Sequence, residues 1–378
     1  MQCTICPIKS EDNFQYINEN CICDLKKLDT NYAKFFGSGS IFLSKKVFEN
    51  MKESIENIEK EIIREKDTVT GGILMSYDFH LDDSNPKLIE INTNAGGIFL
   101  NYKLLQIAEP CCGNAKLQNI SDFEEKIVKM FQKEYRLKSK IKNALKTLVI
   151  MDENIEEQFL YPELLICKEI LEKSGIQVFI ADSKDIEVKD TVAYFNNIKI
   201  DFIYNRNTDF YFEKEENEKF LEVLKDTRTT ISPSPIDHLV FADKKNLVAF
   251  SENENLKNIV PKTILINKDN QEEVWVSRKR YFFKPLNGYG GRGSYNGKGL
   301  TLKVWESIIS SEYVAQEIVL PNSKLVKIDD LNNMFKFDIR AYTYCGELLL
   351  LAARAYQGQT TNFRTIGGGF MPIFLTES

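Results

Sequence analysis

Two periods alternate along the chain. From Lys45 to Lys66, "KKVFENMKESIENIEKEIIREK" sets apolar residues at helical spacing among charges, which predicts a long surface helix with one apolar stripe. The next segment, "GGILMSYDFHLDDSNPKLIEINTNAGG" (Gly71 to Gly97), switches to alternation with period two on both sides of the turn residues Asp82 to Pro86, so it predicts an antiparallel hairpin. "SDFEEKIVKMFQKEYRLKSK" returns to the helical period and opens with Ser121 and Glu124 in a capping-box arrangement. "KTLVIM", "NIEEQFLYPELLICKEILEKSG" and "IQVFIAD" then read as strand, helix and strand, with Gly175 as the helix stop. "VAYFNNIKIDFIYNRN" follows as a hairpin turning at Asn196-Asn197. The pattern predicts an α/β chain with a parallel-sheet domain over residues 142–235.

Composition adds boundaries. A chain of 378 residues with 43% apolar and 28% charged content holds two or three packed units. A net charge of −6 gives no electrostatic footprint for nucleic acid. No apolar stretch approaches the length of a membrane span, and "MQCTICPIKSEDN" has no basic leader, so the expected location is the cytosol, with no membrane partner. Cys111-Cys112 is an adjacent pair, and the eight cysteines show no disulfide framework. Cys3, Cys6, Cys21 and Cys23 have a spacing that could hold zinc tetrahedrally; free thiols are the expectation.

Alternation also sorts side chains by face. Glu90 and Asn92 are two apart and share one, with Ile89 and Ile91 on the other, and Asp78 on the partner strand can lie across from them. Three converging oxygen-bearing side chains suit Mg2+, a hard cation usually shared with substrate phosphates. His80 shares the face of Asp78 and is either at that site or a solvated strand residue. In "YFFKPLNGYGGRGS", a strand delivers Lys284 to a loop containing Gly288, Gly290, Gly291 and Gly293. Such a loop can lie over nucleotide phosphates, because glycine lets backbone N–H groups approach the oxygens while the ammonium neutralises charge; the alternative is a surface turn. The lysine precedes the glycines, so this is not a Walker A sequence. At the end of the strand before it turns, Arg206 and Asp209 are either substrate contacts or part of a solvated loop.

With three further stretches, these segments resemble one family. "YVAQEIVL", "FKFDIRAYTYCGELLLLAARAYQGQTTNFRTIGGGF", and "ADKKNLVAF" with "IVPKTILI" look like the adenine hinge, the block that follows it and the small lobe of ATP-grasp enzymes. The metal hairpin precedes the other blocks instead of following them, so the chain resembles a circularly permuted ATP-grasp protein of the glutathione-synthetase-like kind. The resemblance covers residues 45–97 and 142–375.

It implies α+β ATP-grasp lobes plus a parallel-sheet pre-ATP-grasp domain. Residues 1–110 would hold the permuted start of the large lobe, 111–141 a helical connector, 142–235 the substrate domain, 236–315 the small lobe with the Gly-rich loop, and 316–378 the hinge and the rest of the large lobe. It further implies an ADP-forming ligase acting on ATP with Mg2+, two ions being expected, and joining a small-molecule carboxylate to an amine or thiol. Lys284 and either Lys244 or Lys245 would hold phosphates beneath Gly290, Gly291 and Gly293, and Gln316, Glu317, Ile318 and Val319 would meet the base. Asp338 would contact ribose, Arg340 and Arg354 would stabilise the acylphosphate, Asn362 would join the nucleotide site, and Asp78, Glu90 and Asn92 would hold the metal, Glu90 bridging two ions. A small-molecule kinase and a non-catalytic nucleotide-binding protein are the alternatives. Ser76 stands where related peptide-forming ligases often carry arginine, and "PNSKLVKIDDLNNMFK" lengthens the path from the hinge to Asp338.

Overall fold

The computed structural model describes residues 32, 34–66, 71–108, 115–140, 143–288, 290–328, 331–359 and 367–377. Cys3, Cys6, Cys21, Cys23, Cys111, Cys112 and Asn362 lie outside the described residues. The architecture is mixed α/β with parallel and antiparallel sheets.

The largest sheet has six strands and draws on both ends of the chain. Its order is Gly369–Met371, Glu347–Tyr356, Leu331–Tyr344, Met75–Asp82 and Asn85–Asn92, with Asn322–Ile328 also paired to Leu331–Tyr344. Every pairing in it is antiparallel. Tyr77, Phe79, Ile339, Ala341 and Ala353 point to one face, where Val47, Met51, Ile55, Ile58 and Ile62 of the helix Lys45–Lys66 cover them. That spacing of four, four, three and four residues is the apolar stripe of the sequence. Alternation then sends Asp78, His80, Asp338, Arg340 and Arg354 to the opposite face, which is how a buried sheet presents charge in one place.

A second sheet is wholly parallel, in the order Thr230–Ser232, Phe202–Asn205, Thr147–Asp152, Gln177–Asp182. The helix Tyr161–Lys173 crosses between its last two strands, and Gly175 follows at φ 87°, where a side chain would be strained. Val192–Phe195 and Ile198–Lys199 form the expected hairpin, with Asn196 at φ 51° and Asn197 at φ 60°, the two left-handed positions of a tight turn. The third unit is an antiparallel sheet of Thr263–Leu265, Tyr313–Glu317, Tyr281–Pro285 and Tyr295–Asn296. Phe283 and Ala315 on one of its faces pack against Val274, Trp305 and Ile308. Ile41–Ser44, Ile373–Thr376 and Ala115–Leu117 form a smaller sheet, another joining of the chain's two ends. Among the described residues no helix is long and apolar enough to cross a membrane.

Two local expectations are corrected. The helix Phe123–Lys138 has no capping box, because the Ser121 hydroxyl donates to Asn119 Oδ1 at 2.8 Å instead. Strict alternation also fails inside the hairpin of Met75–Asp82 and Asn85–Asn92: Asp78 pairs with Glu90 but Phe79 pairs with Leu88, which leaves Ile89 as the extra residue of a bulge. Ile89 therefore lines the same cavity as Glu90 rather than the opposite face.

Candidate functional site

A cavity of about 400 Å3 separates the small antiparallel sheet from the six-stranded one. Its upper wall is set by register. Phe283 and Ala315 are committed to the apolar side, so Phe282, Lys284 and Gln316 face the cavity. Below lie Asp78, His80, Glu90, Asp338 and Arg354, and Glu317, Ile318 and Val319 close the connecting side. Gly290 and Gly291 border the opening.

Lys284 is buried and, among the described residues, makes no hydrogen bond to a carboxylate. Its ammonium donates to the Ile89 carbonyl at 2.7 Å and to Gln316 Oε1 at 2.8 Å. Burial pulls it down to about 8, with the charge of Glu90 opposing and that of Lys244 adding to the drop. A cation kept this poorly compensated gains from an incoming anion. The bulge exposes the Ile89 carbonyl that holds it, so the same irregularity aims Glu90 and anchors Lys284.

Gly290, Gly291 and Gly293 have φ of 59°, 71° and 68°, and the loop they build turns between two paired strands. Lys244 donates to the carbonyl of Gly288 in that loop at 2.7 Å, whereas Lys245 is exposed and ion-paired with Glu312 at 3.3 Å. The doublet is thus separated geometrically, with Lys244 on the side of Glu90 and Lys284. Burial lowers the Lys244 ammonium as well, against the pull of Glu90 and Asp243.

The lower wall is an ionic cluster. Arg340 is bidentate to Asp78 (2.7 and 2.6 Å), and Arg354 is bidentate to Asp338 (2.7 and 2.9 Å) while also reaching Asp78 at 2.8 Å. Burial raises the Asp78 carboxyl, but the two guanidiniums outweigh it and hold it well below the usual carboxylate range. Asn92 donates to Asp78 Oδ2 at 3.1 Å, and Glu90 stands opposite Asp78 in register. Asp78, Glu90 and Asn92 are therefore together. Both oxygens of Asp78 are spent on arginines, and among the described residues no group of three acidic, histidine or cysteine side chains is arranged to hold a metal. A hard cation fits Glu90 and the amide oxygen of Asn92, with Asp78 fixing the amide's donor end.

The segment 317–319 is tied down on two N–H groups. Glu317 donates to the Lys262 carbonyl at 2.8 Å and Ile318 to that of Arg280 at 2.9 Å. His80 Nδ1 lies 2.7 Å from the Val319 carbonyl, which only accepts, so the proton is on Nδ1. His80 thus belongs to the cavity and fastens the segment 317–319 to the large sheet.

Not every predicted residue lines the cavity. Arg340, Asn92, Lys244 and Gly293 do not line it directly, and Gly293 accepts from the Tyr313 hydroxyl at 3.0 Å. Arg206 sits at the parallel sheet, donating to the Asn94 carbonyl at 2.6 Å, so it clamps the loop that leaves Asn92. Its Nε and the neighbouring Asn207 Nδ2 are buried without a hydrogen-bond partner among the described residues. Asp209 accepts from the N–H groups of Glu213 and Lys214, each at 3.0 Å, and is consumed by its own turn. Glu163, which the sequence pattern did not single out, accepts from the Gly97 N–H at 2.7 Å.

No protein-family model and no curated protein sequence matches the chain. Solved structures do match. A glutathione synthetase-like effector from Globodera pallida, in its apo form, has a TM-score of 0.56 over 90% of this chain and 90% of that chain, at 12% identity. A putative gamma-glutamylcysteine synthetase from Methylobacillus flagellatus has a TM-score of 0.53 over 87% of this chain and 85% of that one, at 13% identity. The likeness extends over nearly the whole length of all three chains, and with it the chain is identified as having a glutathione-synthetase-like ATP-grasp fold.

Proposed function

We propose that the protein is an ADP-forming ligase that uses ATP to join a small-molecule carboxylate to an amine or a thiol. One observation carries this reading: a single cavity places the buried, under-compensated Lys284 opposite Glu90, Asp338 and Arg354, with a glycine-rich hairpin at its opening. Lysines over an anion, carboxylates beneath it and backbone N–H groups at the lip suit a polyphosphate.

The residues divide the work as follows. Lys284 and Lys244 hold phosphates, with Gly290, Gly291 and Gly293 giving backbone access. Gln316 to Val319 meet the base, and Asp338 the ribose. Mg2+, when bound, supplies positive charge at the polyphosphate, held by Glu90 and Asn92 with Asp78 beside them. The substrate carboxylate attacks the γ-phosphorus, the bond to the β-phosphate oxygen breaks, and ADP leaves with those electrons. The amine or thiol then attacks the acyl carbon, the C–O bond breaks, phosphate leaves, and the nucleophile gives up a proton. Arg354, at the cavity wall, and Arg340, joined to it through Asp78, stabilise the negative charge on the transferring group. Arg206 is the proposed contact for the substrate, its orphaned Nε being suited to a carboxylate. In this reading the chain is cytosolic and permuted, with the metal hairpin ahead of the hinge.

ADP release, measured over a panel of carboxylates with amino acids and polyamines as nucleophiles, tests the proposal. Release that requires both substrates supports it. Release with one acceptor alone indicates a kinase, and nucleotide binding without any release indicates a non-catalytic protein.

A further inference from the structure

Lys324 lies on the strand Asn322–Ile328 opposite Phe335, so its side chain takes the face that packs beneath the helix Lys45–Lys66 and not the face of Asp338. It is 5% exposed. Its ammonium donates to the Ser40 carbonyl, and among the described residues no carboxylate is paired with it. Burial alone pulls it down to about 8. A buried cation without a counter-charge opposes folding, and an oxyanion beside it removes that cost.

The backbone beside this ammonium is the stretch Gly37-Ser38-Gly39-Ser40. It is anchored at both ends: the N–H groups of Gly37 and Ser38 donate to the carbonyls of Phe370 (2.9 Å) and Gly367 (3.1 Å), and that of Ile41 to Pro372 (2.9 Å). Between those anchors, the N–H groups of Gly39 and Ser40 have no hydrogen-bond partner among the described residues, and neither have the hydroxyls of Ser38 and Ser40. Gly39 sits at φ 116°, and a Cβ on it would lie 2.8 Å from Lys324 Nζ. Glycine is what lets the chain approach the ammonium this closely.

We propose that Lys324 and the segment Ser38 to Ser40 form an anion site, separate from the cavity of Lys284, that takes a small tetrahedral oxyanion of the phosphate or sulfate kind. Donor count selects the class. The spare donors of the ammonium, two N–H groups and two hydroxyls outnumber the lone pairs that a planar carboxylate offers and suit an anion with more oxygens. The inference does not rest on the ATP reading, because Lys324 does not line that cavity. A bound anion fastens the segment Gly37 to Ser40 onto the strand Asn322–Ile328.

Thermal melts of the full chain test this, run in a Lys284→Met background so that phosphate beside Lys284 does not contribute. Phosphate, sulfate and acetate are each compared with chloride at matched ionic strength and pH 7. Phosphate and sulfate should give a saturable rise in Tm, and acetate little. Adding Lys324→Met should abolish the rise, and phosphate affinity by calorimetry should fall at least about tenfold, the scale of one charge-assisted hydrogen bond. In chloride that variant should melt no lower than its parent, having shed an unpaired buried charge. Lys324→Gln, which keeps a donor but no charge, should lose the phosphate response in the same way. No rise in the parent, an equal rise in acetate, or a rise that survives both Lys324 variants overturns the inference. A variant that melts lower in chloride yet keeps the phosphate response makes Lys324 a structural cap on Ser40 and overturns it as well.

Discussion

Asp78 and Arg340 stand opposite each other on adjacent antiparallel strands and are joined by two parallel hydrogen bonds, Nε to Oδ1 at 2.7 Å and Nη2 to Oδ2 at 2.6 Å. Arg354 adds a third contact and carries Asp338 with it, so two cations and two anions balance within one buried cluster. Such a cluster is stable only while complete.

Asp78→Asn should therefore destabilise the protein by about 3–5 kcal/mol, because two guanidiniums stay buried with one carboxylate between them. The effect has a pH signature. The carboxyl is held far below its unfolded value, so its stabilisation is complete above about pH 4 and is lost as pH falls from there towards the folded value. Denaturant titrations from pH 3 to 7 should show the wild type losing more stability on acidification than Asp78→Asn. Parallel curves would place the acid sensitivity elsewhere.

Lys284 predicts a proton taken up with the nucleotide. Its ammonium lies at about 8 in the free protein, and phosphate oxygens beside it raise that value, so binding at pH 8.5 draws a proton from solution. Calorimetry in HEPES and in Tris should give binding enthalpies that differ by the buffers' ionisation heats, and the difference should vanish in Lys284→Met. That variant should lose at least roughly tenfold in ATP affinity, the scale of a charge-assisted hydrogen bond. It should not lose stability, since a lysine depressed by burial opposes folding below its unfolded value. Identical enthalpies in both buffers would show that no proton moves.

Much of this site was legible beforehand because it sits on strands. Period-two alternation put Glu90 and Asn92 on one face with Asp78 opposite, and the register agrees at Asp78–Glu90 and Ser76–Asn92. The glycines around Lys284 and the Asn196-Asn197 turn were readable because left-handed backbone restricts residue choice. Long-range electrostatics left no such mark. Asp78 and Arg340 are 262 residues apart, and a carboxylate saturated by arginines has the same local sequence as one awaiting a metal. The bulge at Ile89 escaped for a related reason, since it depends on what the partner strand skips. Lys244 and Lys245 were inseparable until the fold turned one towards Gly288 and the other towards Glu312.

Glu59 should make the protein less stable as pH rises. It is buried beneath the large sheet, accepts from the Tyr77 hydroxyl at 2.9 Å, and burial pushes its carboxyl up to about 7 despite that bond. The sign is opposite to that of Asp78: stability is complete below the unfolded value of about 4.5 and declines as pH rises through 7. Glu59→Gln should be nearly neutral at pH 5 and stabilising at pH 8, by at most about 3 kcal/mol. Thermal melts at the two pH values check it, and a variant destabilised at pH 8 would mean that the charged form is the one the fold favours.

Glu90 separates a metal ligand from a structural acid. It lines the cavity opposite Asp78, and its charge acts on both Lys284 and Lys244. Glu90→Gln keeps the size and hydrogen-bonding capacity but removes an anionic oxygen from a site proposed for a hard cation. ADP release should collapse. Stability without MgATP should change by less than the breaking of a buried ion pair costs, because Asp78 and Asp338 stay paired with the arginines. The stabilisation that MgATP confers on wild type should be largely lost, since a ligand raises melting temperature only through its affinity for the folded state. If Glu90 were instead structural, activity would persist and the ligand-free melting temperature would drop, as in the breaking of a buried ion pair. Thermal melts with and without MgATP, beside the ADP-release assay, distinguish the two patterns; wild-type turnover in Glu90→Gln would remove it from the proposed metal site.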